Sequence, residues 1–440
     1  ISMTEIDKRK YYGRLVLSSI EETTHPEIEY RPAIMIQNGR IKCQRCSGTT
    51  KIKDGELPQK HYYCRKCINL GRISTLIQLA TIPEPNTFET NQNYLEWQGQ
   101  LTPAQARCSS EIIDSIDQKQ DRLLWAVTGA GKTEMLFPGI NHALQKQKRI
   151  CVASPRIDVV LELFPRLQSA FPKAAIALLH GRSPAPYEYT QFVLCTTHQL
   201  LRFYHAFDVL IIDEVDSFPF AMNQELHYAA QRARKIQGST IYLTATPDGK
   251  LLRQSKQKKL ATSYLTRRFH GHPLPEIKIA SGQNWLKKIK KVRLPLPLQR
   301  FINEQIQGNR QFLIFVPKIE MLPIVQKAIN KAFPTLNIQT VHAADLERVE
   351  KVQMMRNQEV DALITTTILE RGVTFPGIDV AVLGADDNVF SMAALVQIAG
   401  RVGRSPQRPS GTVLFICQML NRNIKKARAQ IKFMNRKAHE

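Results

Sequence analysis

Short, almost wholly apolar runs alternate with longer mixed segments through the middle of this chain. Between residue 121 and about residue 247 these runs are LLWAV (123–127), RICVAS (149–154), FVLCTT (192–197), DVLIID (208–213) and TIYLTA (240–245). Apolar runs of this length are typical of strands that are buried on both faces of a parallel sheet. The pattern predicts an α/β lobe.

The same alternation returns in the last third of the chain. Its runs are QFLIFVP (311–317), NIQTVHA (337–343), DALITTT (361–367), VAVLG (380–384) and GTVLFIC (411–417). We therefore predict two parallel-sheet lobes, at 86–285 and 286–440, the second ending in a basic tail. They follow an N-terminal domain at 1–85, and the Pro- and Thr-rich stretch TIPEPNTFET (81–90) is predicted to be a linker.

Charge changes this picture by suggesting a partner. The chain of 440 residues carries 61 Lys and Arg against 38 Asp and Glu, a net charge of +23. Such an excess favours a polyanionic partner, although a well-solvated surface alone would also explain it. No apolar run approaches the roughly 20 residues that span a bilayer, and the N-terminus lacks the apolar core of a signal peptide.

A glycine-rich loop after the first apolar run suggests phosphate binding. In AVTGAGKTE (126–134) the glycines let the backbone curl around phosphate oxygens, and the next helix adds its positive end. Lys132 would reach the β- and γ-phosphates of ATP, and Thr133 would supply a hydroxyl to Mg²⁺. The first position of the usual pattern is Ala126 instead of Gly. The predicted nucleotide-binding residues are Thr128, Gly129, Ala130, Gly131, Lys132, Thr133 and Glu134.

Two further motifs complete the predicted ATPase. LIIDEVD (210–216) places Asp213 and Glu214 after an apolar strand, where Asp213 would hold Mg²⁺ and Glu214 would polarise the attacking water. QIAGRVGR (397–404) supplies Arg401 and Arg404, predicted to lie on one helical face and to stabilise charge on the transferred phosphate. Taken singly, the first motif could be a solvated turn and the second a basic surface helix.

Four of the eight cysteines form two CxxC pairs at about residues 41–70, which we call the cysteine module. Each pair aims two thiolates at one point, and two pairs can complete a tetrahedral Zn²⁺ site. A dithiol redox pair is the alternative, although one CxxC would suffice for it. The predicted zinc ligands are Cys43, Cys46, Cys64 and Cys67.

From about residue 100 to 425 these motifs resemble superfamily 2 helicases and translocases of the DEAD/DExH kind. The resemblance implies two RecA-like lobes with ATP between them, and implies that Gln105 recognises adenine. It further implies that Thr244–Thr246 couple hydrolysis to lobe movement. Segments expected to touch a bound nucleic-acid strand are Pro155–Arg156 and Thr196–His198. The stretch from Thr365 through Gly372 to Asp379 is expected to touch both the strand and the nucleotide.

The cysteine module, the lead-in YLEWQGQLTPAQ (94–105) and the core together resemble the ComFA family of late competence proteins from transformable Gram-positive bacteria. The resemblance implies an ATPase in the cytoplasm, associated with the inner face of the membrane. It would be stimulated by single-stranded DNA and would draw DNA through the uptake channel. ComFC and DprA are the implied partners, and oligomer formation is left open.

Two other functions are compatible with the residues. One is a repair or replication-restart helicase that unwinds duplex DNA, and the other is a nucleic-acid-binding protein with a vestigial ATPase. The intact Lys132, Asp213, Glu214 and Arg401 argue against the vestigial ATPase.

Overall fold

A computed structural model describes residues 4, 8–22, 24–89, 93–181, 186–369 and 374–438. The chain forms two compact units. The first unit comprises Ile1–Trp125 and Lys132–Tyr264, and the second comprises Ala126–Gly131 and Leu265–Glu440.

The first unit is built on a seven-stranded sheet with the strand order β11-β12-β10-β13-β14-β9-β15. All pairings from β11 through β9 are parallel. Its strands are β9 (Arg122–Ala126), β10 (Ile150–Ser154), β11 (Ile176–Leu179), β12 (Phe192–Thr196), β13 (Phe207–Ile212), β14 (Arg234–Thr244) and β15 (Ala261–Leu265).

Helix α1 (Pro103–Gln118) precedes β9. Four further helices lie in crossover connections between strands of the sheet, namely α2 (Lys132–Gln145), α3 (Ile157–Ala170), α4 (Gln224–Ala233) and α5 (Gly249–Lys256). Helix α1 begins with a capping box, in which the Thr102 hydroxyl accepts from the Gln105 N–H at 3.3 Å. In return, the side-chain Oε1 of Gln105 accepts from the Thr102 N–H at 2.9 Å.

Small antiparallel sheets form the N-terminal part of the first unit. One has the order β1-β8-β2, one has the order β3-β4-β5, and one pairs β6 with β7. The strands are β1 (Val16–Ser19), β2 (Glu29–Pro32), β3 (Ile34–Gln37), β4 (Arg40–Cys43), β5 (Thr49–Lys51), β6 (Glu56–Leu57), β7 (His61–Tyr62) and β8 (Ile77–Thr81).

The N-terminal part shares a hydrophobic core with the large sheet. Cys43 and Cys46 belong to the same buried cluster as Phe203 and Leu226. Helix α4 contributes the buried Arg232, which donates to the carbonyl oxygens of Leu201 at 2.8 Å, Phe203 at 3.2 Å and Gln44 at 3.2 Å, and also to that of Arg45. One arginine therefore binds the cysteine module and the ATPase lobe at once.

The stretch predicted to be a linker is also fixed to the large sheet. Glu84 accepts a charged hydrogen bond from Arg149 at 2.6 Å, and both side chains are fully buried. Asn86 donates to Asp208 at 2.9 Å. These contacts anchor the connection between the N-terminal part and the large sheet.

The second unit contains a six-stranded parallel sheet with the order β16-β21-β20-β17-β19-β18. Its strands are β16 (Ile277–Ser281), β17 (Phe312–Phe315), β18 (Ile338–Val341), β19 (Ala362–Thr365), β20 (Asp379–Leu383) and β21 (Val413–Cys417). Its helices are α6 (Trp285–Lys290), α7 (Leu296–Gln307), α8 (Leu322–Ala332), α9 (Arg348–Arg356), α10 (Met392–Ala399) and α11 (Arg422–Lys437).

The prediction of two parallel-sheet lobes is confirmed, and each predicted apolar run overlaps a strand. Strands β11, β15 and β16 were not predicted. Within the described ranges, no helix is both long enough and apolar enough to cross a bilayer.

Candidate nucleotide site and cysteine cluster

The glycine-rich loop joins strand β9 to helix α2. Gly129 and Gly131 have φ angles of 77° and 70°, in the left-handed region that side chains with a Cβ rarely adopt. The two glycines are therefore required by the loop conformation. Such a loop, followed by a helix N-terminus, is a common way of binding phosphate.

Lys132, the first residue of α2, contacts the acidic motif. Its Nζ lies 3.1 Å from Oδ1 of Asp213, which directly follows strand β13. Burial lowers the pKa of Lys132, but the charges of Asp213 and Glu214 outweigh it and the net pKa is raised. Lys132 is therefore a cation at neutral pH. Thr133 follows Lys132 on the first turn of α2, and Glu134 pairs with Arg166.

The acidic turn has a fixed backbone. Glu214 has a left-handed φ of 53°, and its N–H donates to Asp213 Oδ1 at 2.8 Å. The Ser217 hydroxyl donates to Glu214 Oε2 at 3.1 Å. These hydrogen bonds hold two carboxylates next to each other after a buried strand, which is an arrangement suited to a divalent cation and a water molecule.

Asp216 connects the acidic turn to the segment after β14. Its two carboxylate oxygens accept from the Thr244 hydroxyl at 2.7 Å and from the Thr246 hydroxyl at 2.5 Å. Thr246 also donates its N–H to the Thr244 hydroxyl at 2.9 Å. A displacement of the acidic turn would therefore pull directly on this segment.

Residues 126–131 contact other parts of the second unit. The Thr128 hydroxyl lies 3.4 Å from the Gly400 carbonyl oxygen, and the Phe269 N–H donates to the Gly129 carbonyl at 3.0 Å. Arg268 lies alongside, is 2% exposed, and donates to the Val402 carbonyl at 2.5 Å. Burial, with a smaller contribution from Arg404, lowers the pKa of Arg268 to about 9.

Arg268 carries no sequence motif that marks it as a site residue. It lies in a run of Lys and Arg between residues 250 and 268 without an acidic residue, and nothing in that run distinguishes a buried arginine from exposed ones. Its position beside the glycine-rich loop is visible only in the fold.

The prediction that Arg401 and Arg404 share a helical face was wrong. Helix α10 ends at Ala399, and both arginines lie in the turns that follow it. Arg401 is 2% exposed. Arg404 donates through Nε to the Gly400 carbonyl at 3.0 Å and through Nη1 to the Thr374 hydroxyl at 3.2 Å. Glycines at 400 and 403 favour a turn over a continued helix.

The expectation for Asp379 was also wrong. Asp379 is fully buried and bound by Arg408 at 2.7 Å and by the Thr412 N–H at 2.7 Å. It begins β20 and lies level with Ala362, whereas Thr365 is at the other end of the neighbouring strands. Asp379 is therefore a structural carboxylate at the N-terminal ends of the strands, whereas Thr365 lies at their C-terminal ends. Gly372 lies outside the described residues.

The other segments expected to touch bound nucleic acid lie at the C-terminal ends of neighbouring β-strands in the first sheet. Pro155 and Arg156 follow β10, and Thr196 ends β12. Ser154 and Thr196 are register partners in these parallel strands, so the segments after them are neighbours. Arg156 forms an ion pair with Asp158 at 2.6 Å.

The four module cysteines converge on one point. Their sulfur atoms all lie within 4.8 Å of one another, with contacts of 3.8 Å for Cys43–Cys67, 3.6 Å for Cys46–Cys64 and 3.8 Å for Cys64–Cys67. Sulfurs about 2.3 Å from a tetrahedral zinc ion would lie about 3.8 Å apart. The cluster therefore has the dimensions of a four-thiolate zinc site.

Residues around the cluster support a closed site. Arg45 is 1% exposed and donates to the carbonyl oxygens of Cys67 at 2.5 Å, Leu70 at 2.9 Å and Gly71 at 2.7 Å. His61 does not join the cluster, because its Nδ1 lies 3.1 Å from the Thr75 hydroxyl. A buried site with four protein ligands is typical of structural zinc.

Comparison with known proteins agrees with this architecture. Residues 98–249 match the family "Type III restriction enzyme, res subunit", and residues 296–406 match "Helicase conserved C-terminal domain". A solved structure of Mss116p, whose title describes it as bound to ssRNA and AMP-PNP, aligns with a TM-score of 0.54 at 19% identity. That alignment covers 73% of this chain and 70% of the other. The fold and motifs thus define a superfamily 2 helicase-type ATPase, a class that uses a nucleotide and Mg²⁺ and binds nucleic acid.

Residues 15–81 narrow the class, since they match the family "Competence protein ComFA N-terminal domain". A Streptococcus pneumoniae protein named Competence protein ComFA is 41% identical over 429 residues, covering 97% of this chain and 98% of the relative. The Bacillus subtilis protein of the same name is 40% identical over 416 residues, covering 92% and 87%. This chain belongs to the ComFA family, and it is a competence-related helicase-like motor.

Proposed function

We propose that this protein uses ATP hydrolysis to move along single-stranded DNA and thereby drives the uptake of transforming DNA. The observation that carries the proposal is the contact of Lys132 with Asp213 beside a glycine-rich loop. This contact lies in a chain about as long as its ComFA relatives. A motor of this class acts on a nucleic-acid strand, and competence makes incoming DNA the relevant one.

Within the nucleotide site, each described residue has a proposed task. The backbone of residues 128–131 cradles the phosphates, and Lys132 neutralises the β- and γ-phosphate charge. Thr133 and Asp213 hold Mg²⁺, which supplies charge neutralisation when bound. Glu214 orients the attacking water.

Other residues complete the proposed site. Arg401 and Arg404 stabilise the charge that develops on the transferred phosphate, as arginines do in phosphoryl transfer. Arg268 adds a third cation beside Gly129, which is consistent with its burial and low pKa. Glu134 positions the first turn of α2. Gln105 recognises adenine from the start of α1, where the capping box fixes its place.

The single strand is proposed to follow the edge formed by residues 155–156 and 196–198. Contacts from these segments to phosphate and sugar would be tolerant of sequence and sensitive to salt. The link from Asp216 to Thr244 and Thr246 would pass a change at the nucleotide to the lobe that holds the strand.

The cysteine cluster is proposed to bind one structural Zn²⁺ through four thiolates, since the sulfur spacing fits that ion. By family resemblance, the protein works in the cytoplasm at the inner face of the membrane, where it takes DNA from the uptake channel. ComFC and DprA are its proposed partners. The proposal is compatible with either a single copy or an oligomer of the chain.

The proposal is tested by displacement of streptavidin from a biotinylated single-stranded oligonucleotide. The protein should displace streptavidin when ATP is present and fail with a non-hydrolysable analogue. Lys132→Ala is the matched control and should not displace it. If the protein instead separates duplex DNA without displacing streptavidin from single strands, the replication-restart alternative is the better description.

A further inference from the structure

A small pocket lies where the N-terminal part of the first unit meets the large sheet. Its volume is about 170 Å³. Arg14 and Asn69 line it from the N-terminal side, while His180 and Arg202 line it from the large sheet. Asn69 belongs to the cysteine module, two residues after Cys67, and its side chain is exposed.

The pocket carries two guanidinium groups, those of Arg14 and Arg202. Among the described residues, neither Arg14 nor Arg202 forms a salt bridge, and the buried Nε atoms of both have no hydrogen-bond partner. Arg14 stacks over the Tyr187 ring at 3.8 Å and donates to the Lys10 carbonyl at 3.4 Å. These contacts hold the guanidinium in place without neutralising it.

The electrostatics agree with this geometry. Burial, opposed by Tyr187 and assisted by the nearby charges of Arg202 and Arg149, lowers the pKa of Arg14 to about 10. Burial and the nearby charge of Arg45 also lower the pKa of Arg202. Two like charges held close together in a concave site are stabilised by an anion between them.

The pocket also continues the proposed strand path. His180 follows β11, and Arg202 ends the short 3₁₀ helix Thr197–Arg202 that follows β12. Strands β11 and β12 are parallel neighbours, with Leu179 opposite Cys195, so both segments leave the same edge of the sheet. Thr196 and Thr197, which were expected to touch the strand, are at the start of that 3₁₀ helix.

From these observations we propose that the pocket binds one backbone phosphate of the single strand between Arg14 and Arg202. The cysteine module, through Asn69, then forms one wall of the strand path. This inference rests on the proposed function, because it extends the strand-binding edge of the motor. It assigns the module a direct role in nucleic-acid binding.

The test measures binding of oligothymidylates of increasing length, by fluorescence anisotropy at several salt concentrations. The double variant R14Q/R202Q removes both charges, and R40Q removes one exposed charge from the hairpin of the same domain as a control. Each lost phosphate contact lowers the salt slope by roughly 0.7 for single strands, so loss of the one phosphate bound in the pocket should lower the slope of the double variant by about 0.7. R14K/R202K keeps the charge and should restore most of the slope.

A second variant guards against misfolding. Asn69→Asp places a carboxylate beside the pocket at an exposed position, so it should weaken the binding of long oligonucleotides several-fold. Short ones that do not reach the pocket should bind as before. Zinc content and ATPase activity without DNA should remain normal in all variants.

The inference is overturned if R14Q/R202Q and N69D bind every length with the slope of R40Q while the unmodified protein binds single strands. It is likewise overturned if R14Q/R202Q binds more weakly only because zinc is lost. Failure of the proposed function would be distinct, because the unmodified protein would then neither bind single strands nor hydrolyse ATP faster with them.

Discussion

Arg232 offers the sharpest test of how the cysteine module is joined to the ATPase lobe. Arg232→Met keeps the aliphatic stem but removes donors to four carbonyl oxygens, two in the module and two in the lobe. A buried acceptor that loses its partner costs about 1–3 kcal/mol of stability, so the loss of all four hydrogen bonds should cost at least about 4 kcal/mol. Part of this cost is offset because the neutral methionine avoids the desolvation penalty of burying a guanidinium charge.

We therefore expect Arg232→Met to lower the free energy of unfolding of the first unit by about 3 kcal/mol. For a unit of this size that is a fall in Tm of about 6–12 °C. Zinc should also be released faster to a chelator, because the module would lose one of its attachments.

The assay is thermal unfolding, with zinc release followed by a colorimetric chelator. Arg253→Met, at an exposed position on α5, is the matched control and should change neither quantity. An Arg232→Met protein with unchanged Tm and unchanged zinc retention would show that the module is only loosely attached, contrary to the shared core.

Further predictions concern the nucleotide and metal sites. Lys132→Ala should lower turnover at least about 100-fold by removing charge from the transferred phosphate, and Glu214→Gln should bind ATP but not hydrolyse it; normal steady-state turnover in both would exclude the site. Replacing Cys64 and Cys67 with Ser should abolish bound zinc by elemental analysis and lower the Tm of the first unit; a zinc-free unmodified protein would contradict this. Arg404→Ala should abolish stimulation by DNA while ATP and DNA still bind; full stimulation would exclude it as a phosphate contact.

The central strands were predictable because they are buried on both faces and are therefore apolar throughout. Strands β11, β15 and β16 were missed, and each is at the edge of its sheet. Strands β15 (ATSYL) and β16 (IKIAS) are partly exposed and carry polar residues, so their patterns resemble those of loops. Strand β11 (IALL) is apolar, but it is only four residues long and half-buried. Pairing with a neighbour identifies each of these segments as a strand.

The candidate functional residues also fall into two groups, those that lie in sequence motifs and those that do not. Lys132 and Asp213 lie in compact motifs whose local backbone brings the chemistry with it, so the sequence pattern located them. Arg14, Arg202 and Arg268 are distant in sequence from the residues they accompany and carry no motif. Asp379 matched a family pattern, but sequence alone could not show at which end of the sheet its carboxylate lies.

The central claim, that single-stranded DNA drives this ATPase, is tested most directly by its steady-state rate of ATP hydrolysis. The rate should be measured without nucleic acid and with single-stranded DNA, duplex DNA or RNA at equal nucleotide concentration. Our account predicts that single-stranded DNA raises the rate most, and that the increase falls steeply with salt. Equal rates with and without single-stranded DNA, or activation by RNA alone, would contradict it.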